Sequence, residues 1–215
     1  MLLIFDLDDT LIPTSREITP KKLELALAKM IDNGLAVSFD EGKKKLLAMN
    51  ETASRSRDVI IEFVEDLQGS EMDKVIGLNA LEGSLGGIEV TIEEGLNEFL
   101  KGLGKKHSLA IVTGGSDKVQ HEKLDLYNID RQLFKEILVA KWGEKGSAYC
   151  ALKEKFGPFI VVGDRIGNDL CDAKKLGGIT IHIRQGRGAY EPENHPDVDF
   201  TIGTIKELTK VLERV

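Results

Sequence analysis

Leu2-Leu3-Ile4-Phe5 is an unbroken apolar run with no polar alternation, the pattern of a strand covered on both faces, and residues 109–112, 136–139, 159–162 and 179–183 repeat it. Between these runs apolar residues recur at spacings of three and four over 93–103, 117–127, 147–156 and 168–176, which predicts four helices. Strand and helix alternate, so the predicted body is α/β, a doubly wound parallel sheet. A weaker strand over 199–202, with Thr204 as an N-cap and a helix running to residue 215, completes it.

The alternation stops between about residues 19 and 81. Thr19-Pro20 predicts an N-cap followed by proline at the first helical position, Leu23, Leu25, Ala26, Leu27, Met30 and Ile31 form the apolar set behind it, and Gly34 ends the helix. Residues 40–49, 54–67 and 71–81 read as three further helices. The expected organisation is a sheet-bearing core of residues 1–14 and 88–215 with a small helical block, 15–87, inserted after the first strand. Its hinges fall near 13–17 and 83–91. Gly83-Ser84-Leu85-Gly86-Gly87 reads as the return hinge rather than a phosphate cradle, because no suitable strand and helix flank it.

At 215 residues and 41% hydrophobic content the chain can bury one good core and a smaller appended unit. Its formal charge of −7 lacks any basic cluster free of acidic neighbours, so nucleic acid is not an expected partner. An acidic protein acting on an anion needs a local remedy: a metal ion, a lysine or backbone N–H groups. Cys150 and Cys171 have neither zinc-site spacing nor disulfide density and read as reduced packing residues. The apolar start runs straight into Asp6, Asp8 and Asp9, far short of the ~20 residues a membrane span needs and unlike a signal peptide, so a cytoplasmic location without membrane contact is expected.

Four segments carry chemistry. Asp6-Leu7-Asp8-Asp9-Thr10 leaves the carboxyl end of the first strand, where ligands bind in this architecture. Thr113-Gly114-Gly115-Ser116 follows another apolar strand and precedes a helix, offering a hydroxyl and backbone N–H groups to anionic oxygens. Lys145 stands where the helix over 147–156 starts and can neutralise phosphoryl charge, with Lys141 as its rival. Gly163-Asp164-Arg165-Ile166-Gly167-Asn168-Asp169 puts two more carboxylates at a strand end, although Asn168 or Asp169 can also cap the next helix. Four acidic side chains at one sheet edge repel one another unless a cation lies among them, and oxygen ligands with few histidines indicate a hard ion such as Mg²⁺.

The order of these parts resembles the haloacid dehalogenase-like (HAD) superfamily, whose motifs are an Asp-x-Asp-x-Thr, a Thr or Ser ending the next strand, a Lys, and a Gly-Asp-x-x-x-x-Asp. All four occur here in order, from Asp6 to Asp169, covering essentially the whole body. The resemblance implies a Rossmannoid core with a helical cap, and a phosphatase in which Asp6 becomes an aspartyl-phosphate. By the same resemblance Asp8 protonates the leaving oxygen and then activates water. Thr113, Gly114 and Lys145 hold phosphoryl oxygens. Asp6, the backbone carbonyl of Asp8, and Asp164 bind Mg²⁺, with Asp169 reaching it through water or steadying Lys145. The family often places proline after the lysine, where this chain has Gly146.

As the acid, Asp8 needs its proton held at neutral pH, and neighbouring negative charge is the expected means. Dehalogenating relatives lack an acid at this position, so Asp8 points to phosphate esters of a small metabolite. A sugar-phosphate mutase on the same scaffold and a non-catalytic phosphate-binding module are the alternatives. By the same resemblance the insertion stands where the superfamily commonly places a mobile cap that covers the site and screens substrates; Asn50, Arg55 and Arg57 within it could reach a substrate, although exposed helix faces carry Arg and Asn routinely. Residues 186–190 read as a surface loop beside the site, Trp142 and Tyr190 as packing or loop residues, and His107, His121, His182 and His195 as bystanders. Oligomeric state and substrate identity are not encoded in any motif.

Overall fold

The computed structural model describes residues 1–92, 94–141 and 143–215. In chain order, β1 (Leu2–Phe5) leads into a helical turn, α1 (Thr14–Glu17), and four helices: α2 (Thr19–Asp32), α3 (Phe39–Thr52), α4 (Ser56–Asp66) and α5 (Glu71–Glu82). Strand and helix then alternate through α6 (Leu96–Gly104), β2 (Ser108–Gly114), α7 (Asp117–Leu126), β3 (Phe134–Ala140), α8 (Lys145–Phe156) and β4 (Phe159–Gly163). The chain continues as α9 (Cys171–Lys175), β5 (Ile179–Ile183), β6 (Phe200–Ile202) and α10 (Leu208–Leu212).

Two compact units divide the chain, residues 1–14 with 90–215 and residues 15–89. In the first, six strands form one parallel sheet in the order β3-β2-β1-β4-β5-β6. Right-handed crossovers can reach both sides of β1 only by reversing direction there, so the crevice outside its carboxyl end is where such sheets bind ligands. Phe5 pairs with Ile111 on one side and Val162 on the other, which brings the residues after β1, β2 and β4 to one edge. Every residue of β1 and β4 is buried, and Leu2, Ile4, Val112, Tyr149, Phe159, Val161 and Leu170 share one core. The unbroken apolar runs reflect this coverage on both faces.

The unit of residues 15–89 buries Leu23, Leu27, Met30, Leu46, Ile60 and Phe63 among its helices. Full burial of such side chains stabilises by about 1.5–3 kcal/mol each before conformational entropy is subtracted. Gly77 of α5 lets that helix lie close on α2: a Cβ there would fall 2.7 Å from Met30 Sδ and 2.8 Å from Ile60 Cγ2. Ser70 and Asp73 close a reciprocal capping box on α5, with Asn33 donating to Asp73 at 2.8 Å. Lys22, buried in the first turns of α2, donates to the carbonyls of Gly83 and Ser84, tying down the glycine-rich return segment.

Several boundaries differ from the sequence reading. Thr19 lies inside α2, whose N-cap is Ile18 without a side-chain cap bond, so Pro20 occupies the second helical position. Proline is tolerated there because that N–H has no intrahelical acceptor. Gly34, with φ +106°, follows the helix as expected. The helix predicted from residue 93 begins at Leu96, and residue 93 lies outside the described residues, as does Trp142. The predicted helix over 168–176 is a five-residue π turn, Ile166–Leu170, running into the short α9. Thr204 does cap the last helical segment, reciprocally with Glu207.

Candidate active site

Asp6 continues the β1 ladder, its N–H donating to the Val162 carbonyl at 2.9 Å. The chain then folds back at once. The amides of Leu11 and Ile12 both donate to the Leu7 carbonyl, and Asp9 takes φ +54° while its N–H bonds the Ile12 carbonyl at 2.7 Å. This tight loop holds Asp6 and Asp8 at the same edge.

Lys145 opens α8 and is 6% exposed. Its ammonium donates to Asp6 Oδ1 at 2.6 Å and to Asp169 Oδ1 at 2.7 Å, whereas Lys141 is exposed. Asp169 Oδ2 accepts the Arg165 N–H at 2.9 Å, closing its own turn rather than capping α9. Gly163 makes room for that arrangement, since a Cβ at 163 would sit 2.5 Å from the Asp169 Cβ. Asp164 is buried, and its carbonyl meets Nε2 of the buried His182 at 2.9 Å. Carboxylate oxygens of Asp6, Asp164 and Asp169 lie within 4.8 Å of one another.

Three buried carboxylates with one bridging ammonium carry excess negative charge in a poorly solvated place. Burial, opposed by Lys145 and reinforced by Asp169 and Asp8, pushes the Asp6 carboxyl up to about 7. Burial, then Asp169 and Asp6, drives Asp164 well above the usual carboxylate range. Burial alone would lower Lys145, but Asp169 and Asp6 outweigh it and hold the ammonium well above its ordinary value. Lys145 therefore stays charged, and Arg165, which lowers Asp164, does not offset the burial and the neighbouring carboxylates there. A donor set made only of carboxylate oxygens fits a hard divalent cation.

Thr113 is buried near the end of β2, and among the described residues its hydroxyl has no hydrogen-bond partner. A buried hydroxyl without a partner costs about 1–3 kcal/mol, a deficit that an anionic ligand oxygen can remove. Gly114 directs its carbonyl to Gln120 Nε2 at 2.6 Å.

Asp8 departs from the sequence expectation, because its neighbours are cationic and donating. Lys123 Nζ bonds both carboxylate oxygens, at 2.7 and 2.8 Å, Gln120 Nε2 donates at 3.0 Å, and the Thr14 hydroxyl donates to Oδ1. Burial pushes this carboxyl up, but Lys123 outweighs it, with Thr14 and Gln120 adding to the effect, so Asp8 lies below the ordinary 3.8 and is ionised. A depressed folded value contributes stability above the unfolded pKa, which is lost as pH falls through the folded one. Gln120 and Lys123 were missed because exposed polar residues are routine on helices. The available signal was their three-residue spacing on α7, which puts both on its buried face beside Leu124. Arg187 was also passed over: burial and then Arg165 lower it, while Asp9, Asp164 and Asp8 act on it electrostatically.

Other residues stand apart from this cluster. Tyr190 is exposed, and Cys150 and Cys171 are free, the former exposed rather than packed. In the helical unit Arg55 pairs with Asp58 and Arg57 with Glu82, while Asn50 is buried. No described helix is long and apolar enough to cross a membrane.

No protein-family model matches the chain. Over 99% of its length it is 28% identical to the glyceraldehyde 3-phosphate phosphatase of Methanocaldococcus jannaschii, covering 97% of that protein. It is 25% identical to the protein of the same name from Pyrococcus furiosus, over 99% of this chain and 93% of that one. In three dimensions it resembles the HAD-hydrolase YfnB of Bacillus subtilis bound to magnesium, with TM-score 0.66 and 18% identity over 98% of this chain and 97% of that chain. At that identity the likeness concerns the fold.

Proposed function

We propose that this chain is a haloacid dehalogenase-like phosphatase that hydrolyses a small phosphate monoester with Mg²⁺ through an aspartyl-phosphate on Asp6, a reading its similarity to two phosphatases supports. The observation that carries the reading is the convergence of Asp6, Asp164 and Asp169 at the carboxyl edge of the sheet, with Lys145 bridging the first and the last. In this reading the chemistry belongs to residues 1–14 and 88–215, and residues 15–87 are the substrate-screening cap.

Phosphoryl transfer demands an in-line nucleophile and positive charge over the equatorial oxygens. A carboxylate oxygen of Asp6 forms the new bond to phosphorus as the bond to the substrate's bridging oxygen breaks, and Asp8 gives that oxygen its proton. In the second half, the Asp8 carboxylate takes a proton from water, the water oxygen bonds phosphorus, and the acyl phosphate bond to Asp6 breaks. Lys145 and Thr113, with the Gly114 backbone, hold the transferred oxygens. Mg²⁺, held by Asp6, the Asp8 carbonyl and Asp164, with Asp169 behind Lys145 or a water, would supply the remaining positive charge.

The ionised Asp8 on Lys123 is the form that the water-activating half requires, and the first half requires it to leave that ammonium and take a proton. Removing the cation removes the largest influence that lowers Asp8. Lys123→Met is accordingly expected to move the acid limb of the phosphoenzyme-hydrolysis rate, followed in single turnovers, to higher pH. Its effect at neutrality should be smaller than the ~10²–10⁴-fold that general acid–base catalysis supplies as a whole. An unmoved acid limb refutes the role given to Asp8.

The relatives named glyceraldehyde 3-phosphate phosphatase support water over a second sugar hydroxyl as acceptor, and make triose phosphates the first compounds to try. The test is phosphate release from a panel of phosphorylated metabolites with Mg²⁺ and with EDTA. Release is expected only with the metal, and no release from any member would overturn the reading. Melting curves supply a second readout. The raised Asp6 and Asp164 keep their protons where the unfolded chain has lost them, so metal-free stability declines as pH rises from about 3.8 through about 7. Mg²⁺ replaces those protons and should raise Tm more at pH 8 than at pH 5.5, by about 2–4 °C per kcal/mol of binding energy.

A further inference from the structure

Away from the carboxylate cluster, Cys171, His195 and Asp197 bring one sulfur, one ring nitrogen and one carboxylate oxygen within 4.8 Å of one another. Cys171 is the first residue of α9, where it packs against the main core together with Val198. Burial, and then the neighbouring Asp197, push its thiol up to about 11. His195 Nδ1 accepts the Asp197 N–H at 3.2 Å and lies 3.9 Å from the Asp197 carboxylate. All three are partly buried, so solvent can reach them without flooding the cluster.

The segment bearing His195 and Asp197 is held in place by more than its own turn. Thr180 of β5, fully buried, donates its hydroxyl to the Asp197 carbonyl at 2.7 Å, and its N–H bonds Asp199 Oδ2 at 3.0 Å. Asp199 N–H returns to the Thr180 carbonyl at 3.0 Å, and Val198 N–H closes on the His195 carbonyl at 3.0 Å. The nearby lysines have other carboxylates: Lys174 pairs with Asp199, and Lys175 with Asp172 at 2.9 Å, although Lys175 also feels Cys171 and Asp197 electrostatically. A loop pinned to β5 thus presents two ligands to a third at the start of α9, which is the preorganisation that ion binding needs.

We propose that Cys171, His195 and Asp197 form a second cation site, selective for Zn²⁺ and independent of the magnesium site. Sulfur and imidazole nitrogen suit a borderline-soft ion and are poor ligands for Mg²⁺. Three protein ligands with one water complete a tetrahedron. On binding, the sulfur becomes a thiolate and its proton passes to solvent. At Nδ1 the ion displaces a single hydrogen bond from the Asp197 amide. The bound ion ties the segment before β6 to α9, directly after the turn that carries Asp169, and its role is structural.

The test uses the full chain with excess Mg²⁺ present to fill the all-oxygen cluster, and Co²⁺ as the spectroscopic probe. The wild type and Cys150→Ser should bind one Co²⁺ with a sulfur-to-cobalt charge-transfer band, displaced by Zn²⁺. Zn²⁺ should also raise their melting temperature. Cys171→Ser should lose the band and, like His195→Ala, weaken Zn²⁺ binding by at least ~10-fold, the lower end of the loss seen when even an outer partner of a metal ligand is removed. No band in the wild type, or a band kept by Cys171→Ser, or undiminished Zn²⁺ affinity in either variant, overturns the site.

Discussion

Asp6→Asn is expected to abolish phosphatase turnover, by a factor on the order of 10⁴–10⁶, as removal of a nucleophile that acts as part of a unit does elsewhere. The amide keeps the size of the carboxylate and one acceptor oxygen for Lys145, which retains Asp169 at 2.7 Å as its ionic partner. Folding should therefore survive. Because Asp6 is pushed up to about 7, chiefly by burial, its ionisation costs the native state free energy at pH 8, a cost the amide does not carry. The variant should then melt no lower than the parent at pH 8 without metal, while accumulating no phosphoenzyme. Steady-state rates and acid-quenched labelling from a phosphate-labelled substrate decide it, and turnover within tenfold of the parent removes Asp6 as the nucleophile.

Lys145→Met should impair both stability and activity. It leaves Asp6, Asp164 and Asp169 buried together without the ammonium that bridges two of them. Breaking a buried pair by removing one partner typically costs about 3–5 kcal/mol. Here the carboxyls can relieve part of that by taking up protons. Lys145 is the main influence lowering Asp6, so without it Asp6 rises further, and the destabilisation should grow from pH 5.5 to pH 8. Mg²⁺ should restore part of the melting temperature by supplying charge to the same carboxylates. It should not restore the rate, because removing one preorganised donor from a transferring anion costs roughly 10²–10³. Melting curves at the two pH values, with Mg²⁺ and with EDTA, test this, and equal losses at both pH values contradict the charge argument.

The electrostatic pattern around Asp6 and Asp8 inverts a simple expectation. The sequence places four acids near one another and suggests that Asp8 keeps its proton through repulsion. Folding instead brings Lys123 and Gln120 from α7, and Thr14 from the turn after β1, onto Asp8. The proton-retaining carboxyls are Asp6 and Asp164, where burial and the neighbouring carboxylates outweigh Lys145 at the first and Arg165 at the second.

What the chain determined unaided was the architecture and the edge at which chemistry collects. Strands buried on both faces must be continuously apolar, and the polar residue that ends each run must emerge at its carboxyl end. That is why Asp6, Thr113 and Asp164 could be placed by inspection. Lys145 could be named only through the spacing of a known motif, since nothing local distinguishes it from Lys141. Which cation meets which carboxylate was left to the tertiary structure, as was the meeting of Cys171 with His195 and Asp197. Those contacts join residues far apart along the polypeptide, and periodicity reports only which face of an element is buried, never what another element will set against it.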